Sequence, residues 1–317
     1  MGHVKRTRLL RGRYFVTLNA RKDIRIKKGK MTGGHQSEAQ FAAQFAAQFG
    51  EKRFQTAEVS LNYVEGPDNG PTIVLLHGVT SRWQPFLAIM PELAKHFHVF
   101  ALDLRGHGRS GHTPGAYQLD DFSGDVQEFI GEKVLAPAAI YGHSLGGLVG
   151  INLAARYPQS VRMLILGDPP LYYHDTATRD TIWQQAFSEL LDFMSAQRSS
   201  AEREAWLAEN VPGMSRERRE ERVRSLEEFD PEVVRVVLSD TLMDGISLSH
   251  LALRVACPVI LLRGNEKLGS ALREQDVIFA KRHFADIRVI EMESVGHGII
   301  PNTLLAKLMK FIDGNQG

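Results

Sequence analysis

From residue 54 onward, short apolar runs alternate with stretches of helical period. Residues 72–76, 98–102, 138–141, 161–166, 258–262 and 287–291 are the runs, and helical segments are expected over 85–96, 120–134 and 147–157. Apolar runs this short mark strands buried on both faces. Residues 58–64 instead alternate apolar and polar, as a strand with one wet face does, and the Gly-Pro-Asp-Asn-Gly cluster at 66–70 reads as a turn. Strands alternating with helices build an α/β fold, a mostly parallel sheet covered on both faces. Such sheets carry their sites at the carboxyl ends of the strands.

The alternation stops over residues 171–250, which read as almost entirely helical. Trp183, Phe187, Leu190, Leu191 and Met194 share one helical face. Residues 216–229 are highly charged, with Val223, Leu226 and Phe229 as a thin apolar stripe. The charges read as a solvated outer face in which Glu220 and Arg224 can pair four residues apart. A helical insert between two strands is a candidate cap over the sheet edge. The expected organisation is therefore a tail with a possible short helix over 1–53, a core over 54–170 and 251–317, and a cap over 171–250. A last helix is expected over 303–312.

Charge and cysteine content narrow the class. Residues 1–30 hold eleven of the 38 Lys and Arg but one of the 37 Asp and Glu, so the rest of the chain is acidic overall. A nucleic-acid binder is expected to be basic in its folded part. No run approaches the ~20 apolar residues that cross a bilayer, and residues 1–30 lack the apolar stretch of a secretory signal. They read as a tail outside the fold, with Met31 as a possible true start. Organelle targeting or an anionic surface is the other reading; otherwise the expected compartment is the cytoplasm. Phe41, Phe45 and Phe49 recur every fourth residue and predict a short docking helix; the other reading is a low-complexity leader with no fixed structure. Cys257, the single cysteine, precedes Pro258 at a strand start and reads as a buried structural residue. No His or Cys spacing suggests a metal.

The strongest chemical signal is Gly142-His143-Ser144-Leu145-Gly146-Gly147, which follows a strand and opens a helix. In that setting G-x-S-x-G is a sharp turn that leaves the serine oxygen exposed at the sheet edge. A serine hydroxyl needs a positioned base. His297, in Ser294-Val295-Gly296-His297-Gly298-Ile299, lies just after the last strand and can reach it, whereas His107 and His112 read as structural. An acyl-transfer site also needs oxyanion donors. Leu145 offers one backbone amide, and Val79, in the loop after residues 72–76, offers the other.

Four motifs in order resemble the α/β-hydrolase superfamily: His77-Gly78, Asp103-Leu104-Arg105-Gly106-His107-Gly108-Arg109-Ser110, Gly142–Gly147 and Gly296-His297-Gly298. The resemblance covers roughly residues 54–313. It implies an eight-stranded, mostly parallel sheet with a helical cap, a Ser-His-acid triad and no cofactor. A serine at 144 sets the chain apart from relatives with an aspartate nucleophile, the dehalogenases and epoxide hydrolases.

The acid departs from the family pattern. After residues 258–262 the family commonly has Gly, two residues, then Asp; here Gly264-Asn265-Glu266-Lys267 places Lys267 there. The histidine needs a carboxylate on Nδ1. Asp168, in Leu166-Gly167-Asp168-Pro169-Pro170, is taken as that acid because some relatives carry it at the neighbouring strand end. Glu266 is the alternative, and Asn265 could orient the ring without charge if neither serves.

His77, Gly78, Trp83, His143 and Tyr172 are expected around the substrate pocket, with Phe86 beside Trp83 and Pro169, Pro170, Leu171 and Tyr173 leading into the cap. No Arg or Lys cluster points at the site, which disfavours phosphorylated substrates. The sequence reading is a serine hydrolase of carboxylic esters or lactones. Amidase, C–C hydrolase and acyltransferase chemistry stay open on the same residues. The rival is a catalytically weak protein that uses the fold to bind a small ligand. The expected partner is a small molecule, and oligomeric state is left open.

Overall fold

The computed structural model describes residues 45–211 and 213–298. The basic segment, Phe41 and the helix expected over 303–312 lie outside those residues. Eight strands form one sheet: β1 (Gly50–Gln55), β2 (Ser60–Glu65), β3 (Thr72–Leu76), β4 (His98–Leu102), β5 (Ala138–His143), β6 (Val161–Gly167), β7 (Val259–Gly264) and β8 (Ile287–Met292). Their spatial order is β1-β2-β4-β3-β5-β6-β7-β8. Strand β2 is antiparallel to β1 and β4; the other neighbours are parallel. The chain leaves β3 for β4 on one side and returns to β5 on the other. The carboxyl ends of β3 and β5 therefore flank the point where strand order reverses, where open α/β sheets bind ligands.

Side chains of the central strands alternate between two cores. Val74, Leu76, Ile140, Leu164, Leu166 and Leu261 join helices α1 (Leu119–Phe129) and α2 (Leu145–Arg156) on one face. Ile73, Leu75, Tyr141, Ile165, Ile260 and Leu262 face Phe86, Met90, Leu93 and Phe97 on the other. This period of two explains why these runs read as uniformly apolar: both phases are buried. Phe122 and Phe129 of α1 are fully buried, and truncating either to Ala should cost about 3–5 kcal/mol.

Two elements differ from the sequence reading. Strand β1 was not anticipated, because all its side chains but Phe54 are exposed; an edge strand of that kind has no apolar signature. The helix expected over 85–96 is broken into a 3₁₀ turn, Gln84–Ala88, and one helical turn, Met90–Leu93. Pro91 explains the break, since it has no amide to continue the preceding turn. Upstream, residues 45–48 form a helical turn. Phe45 stacks on Phe49 and on Trp83, with ring centroids 4.2 and 6.0 Å away.

The segment between β6 and β7 carries α3 (Ile182–Ser195), α4 (Ser200–Asn210), α5 (Arg216–Glu227) and α6 (Pro231–Leu238), then α7 (Leu248–Arg254), which packs on α2. A residue that accepts a backbone amide opens each of the first four: Thr181, Ser199, Ser215 and Asp230. Such caps contribute about 1 kcal/mol each. Leu190 and Phe193 of α3 and Val233, Val234 and Val237 of α6 extend the main core. Leu207, Val211 and Val223 form a small cluster between α4 and α5. The charged run on α5 is not simply a solvated face. Glu220 pairs with Arg216 and Arg224 with Glu221, rather than with each other. Glu221, Arg222, Ser225 and Glu228 instead meet the loop that follows β3.

Candidate active site

Ser144 occupies the turn between β5 and α2 at φ 51° and ψ −115°. Few residues other than glycine adopt a positive φ, and strain of this kind clusters at functional sites. The turn is held from both sides: the Ser144 amide donates to the Gly167 carbonyl at 3.0 Å, and the Gly146 amide donates to the His77 carbonyl at 3.1 Å. Gly78 allows the β3 loop to pass close to the serine, since a Cβ there would lie 2.9 Å from the Ser144 Cβ.

Asp168 follows β6 directly, fully buried and at φ 49°. His297 follows β8, and its Nδ1 donates to Asp168 Oδ2 at 2.7 Å. The Ala271 amide donates to the same oxygen at 2.7 Å, and the Ser270 hydroxyl donates to Oδ1. Burial by itself raises the Asp168 carboxyl, but the His297 bond and charge, with the Ser270 and Ala271 donors, outweigh it and hold the group below its usual range. A proton on Nδ1 leaves the lone pair on His297 Nε2, the form that can act as a base. The His297 ring lies 4.9 Å from the Trp183 ring.

Ser144 and His297 line one narrow cavity, with Val79, Leu145, Leu148, Tyr172, Trp183 and Phe187 prominent in its wall. Pro170, Tyr173, Val237, Leu242 and Ala271 complete it. The cavity volume is about 30 Å³. One water needs roughly 10–15 Å³, so the cavity holds a group of a few atoms. The Ser144 hydroxyl makes no hydrogen bond among the described residues; nucleophile–base bonds commonly tighten only around substrate. Tyr173 and Tyr172 turn their hydroxyls to Thr178 Oγ1, at 2.6 and 3.5 Å, so the wall presents mainly ring and aliphatic surface.

Other expected residues stand elsewhere. Trp83 and Phe86 belong to the core on the opposite sheet face and do not line the cavity; the Trp83 amide and indole donate to Asp103 and Glu51. The chain turns under the sheet after the β3 loop, which carries both rings away from the serine. Glu266 is an exposed residue of a 3₁₀ turn, 3.7 Å from Arg263, and does not meet His297. Its loop instead supplies the Ser270 and Ala271 donors. His77 braces two loops: its Nδ1 donates to the Gly78 carbonyl and its Nε2 accepts from the Leu104 amide, while burial pushes it down to about 4. His143 donates from Nε2 to the His297 carbonyl at 2.7 Å, which anchors the histidine loop. Burial, with the nearby His297, pushes it down to about 4, so it is neutral.

Sequence reasoning missed Ser270 and Ala271 as partners of Asp168, and Leu148, Phe187, Val237 and Leu242 as cavity wall. Trp183 and Phe187 share one helical face in the sequence, and their position in the first insert helix is the available signal. Among the described residues, His174, Asp175 and Asp276 bring ligand atoms within 4.8 Å of one another. Arg273 already bridges those carboxylates, 2.8 Å from Asp175 and 2.5 Å from Asp276.

A strained serine at a strand–helix turn and a histidine on a buried aspartate share one cavity, and the chain matches known proteins with this architecture. A model of the alpha/beta hydrolase fold matches residues 71–209. A human serine hydrolase-like protein is 31% identical over 140 residues, 43% of this chain and 69% of that protein. The chain belongs to the α/β-hydrolase superfamily. The 2-(acetamidomethylene)succinate hydrolase of Mesorhizobium japonicum is 32% identical over 117 residues, 37% of this chain and 42% of the relative. The match therefore spans less than half of that relative's length. Among solved structures, an N-formylmaleamic acid deformylase from Pseudomonas putida superposes with a TM-score of 0.69 at 19% identity, covering 82% of this chain and 100% of that one. At that identity the likeness concerns the fold. Among the described residues no helix is long and apolar enough to cross a membrane.

Proposed function

We propose that the chain is a serine hydrolase that cleaves small carboxylic esters or lactones through an acyl-enzyme. Ser144 attacks the carbonyl carbon while His297 Nε2 takes its proton. Asp168 holds the ring in the tautomer this requires and stabilises the imidazolium. The Val79 and Leu145 amides receive the oxyanion. His297 then returns the proton to the leaving alcohol, and a water deprotonated by His297 releases the acid.

The observation that carries this reading is the 2.7 Å bond from His297 Nδ1 to Asp168, with His297 and Ser144 on one enclosed cavity. The cavity's small volume and apolar wall favour a short, neutral acyl group. An amide carbonyl is the second reading, because the M. japonicum relative is named as a hydrolase of an acetamido compound. No Lys or Arg among the described residues lines the cavity, which argues against a dicarboxylate like that relative's substrate.

Fluorophosphonate labelling and hydrolysis of p-nitrophenyl acetate, γ-butyrolactone and acetanilide test the reading in wild type and Ser144→Ala. Labelling and ester or lactone turnover that vanish together in Ser144→Ala are expected. Turnover of the anilide alone would move the assignment to amides. A folded wild type that neither labels nor turns over would refute the mechanism and favour a ligand-binding protein.

A further inference from the structure

Helix α5 is joined to the loop after β3 by a dense set of polar bonds. The Thr80 carbonyl accepts from Arg222 Nη1 at 2.7 Å and from the Ser225 hydroxyl at 2.8 Å. Arg222 Nη2 donates to the Thr80 hydroxyl at 2.9 Å. Two residues on, Arg82 makes a forked pair with Glu221, at 2.9 and 2.8 Å, and a second pair with Glu228. Thr80 is buried and sits at φ 63°, a backbone state that a β-branched residue seldom adopts. It directly follows Val79, which lines the cavity beside Ser144.

Arg216, Arg219 and Arg224 pair with glutamates and Arg218 is exposed, whereas Arg222 is half-buried with no carboxylate partner among the described residues. Burial pulls it down to about 10, so it stays charged at neutral pH. A charged guanidinium that takes a backbone carbonyl and a hydroxyl in place of an acid is spending its strongest donors on one strained residue. A bidentate grip of this kind fixes orientation as well as distance.

We propose that Arg222 and Ser225 are positioning residues that hold Thr80 in its left-handed state and thereby aim the preceding Val79 amide at the oxyanion. The insert and the oxyanion loop then form one unit: α5 seated on the loop completes the donor pair, and α5 lifted from it releases the Thr80 strain and disperses the donor. This inference rests on the serine-hydrolase reading and extends it to a link between insert position and turnover.

The test uses the full chain with Arg222→Ala/Ser225→Ala, Ser225→Ala and Arg222→Lys. Hydrogen–deuterium exchange over residues 77–83, the fluorophosphonate labelling rate at Ser144, and kcat and KM on p-nitrophenyl acetate are measured together. The double variant should exchange faster in that loop, and its labelling rate and kcat should fall roughly 10- to 10²-fold, short of losing a donor outright. KM should stay within about twofold. Arg222→Lys, which keeps the charge but not the forked pair of donors, should recover part of the loss. Ser225→Ala should move the same way by less, which keeps the test open if the double variant does not fold. A looser loop with wild-type labelling would overturn the proposal, as would unchanged loop exchange or a rise in KM at constant kcat. A folded wild type that fails to label overturns the hydrolase reading itself, and this inference with it, before any variant is compared.

Discussion

Replacing Asp168 by asparagine should cost far less than replacing it by alanine, and the hydrogen bonds around the carboxylate say why. Four donors converge on it: His297 Nδ1–H and the Ala271 amide on Oδ2, and the Ser270 hydroxyl and the more distant Gly264 amide on Oδ1. An amide brings an NH₂ of its own, which must face an acceptor. On the Oδ2 side it would meet two N–H groups, and the imidazole would have to adopt the wrong tautomer. On the Oδ1 side it meets Ser270, whose hydroxyl can turn and accept, and the Gly264 amide only at 3.4 Å. The side chain of the Asp168→Asn variant should therefore place its oxygen toward His297 and keep the working tautomer.

What is lost is the charge. A hydrogen bond to a charged group is worth about 1.5–3 kcal/mol in all, which caps the loss at roughly 10- to 10²-fold in rate. Loss of the tautomer as well costs about 10⁴ in a comparable triad. The assay is kcat/KM on p-nitrophenyl acetate for Asp168→Asn, Asp168→Ala and Asp168→Asn/Ser270→Ala. The first should retain about 1–10% of activity, and the double variant should fall toward the alanine level once the amide loses its acceptor. An Asp168→Asn loss as large as that of alanine would refute the argument from Ser270. No loss in either single variant would remove Asp168 from the mechanism.

Trp183→Ala should enlarge the cavity, extend turnover to longer acyl esters and cost about 3–5 kcal/mol in urea unfolding. His143→Phe removes the donor to the His297 carbonyl and should lower kcat about tenfold with little change in KM, read from initial rates. Asp103 is buried, and that burial pushes its carboxyl up to about 6. The folded state then holds the proton more tightly than the unfolded one, so this contribution is full below about pH 4 and lost as pH rises through 6. Asp103→Asn should abolish that dependence, changing the wild-type-minus-variant unfolding free energy by about 2 kcal/mol between pH 4 and 6. An unchanged difference across that range would show that Asp103 ionises alike in both states.

What the sequence revealed depended on how local the determinant was. The serine turn, the strands around it and His297 could be placed because each depends on a few adjacent residues. Asp168 was named from its place after β6, but its environment was not, since Ser270 and Ala271 are about a hundred positions away. Trp83 was misplaced because the path of a loop under or over a sheet is decided by the tertiary core, here Phe45 and Phe49. The α5 charges read as solvated because a periodicity argument sees the helix's own stripe and not Thr80. Strand β1 was invisible for the opposite reason: its exposed edge pairs through the backbone and through polar side chains such as Lys52 with Glu65, which leave no apolar pattern.

The position of Asp168 just after β6 also bears on where this chain tolerates redesign. His143 and Gly167 are partners in the β5–β6 ladder, so Ser144 and Asp168 leave the sheet side by side, and their separation is set by ordinary strand spacing rather than by a loop. The 3₁₀ turn Glu266–Leu268 supplies no carboxylate to His297, which meets Asp168 instead. Provided Ser270 and Ala271 keep their place, that turn is a natural port for an inserted peptide, a reporter or a new pair of chain ends.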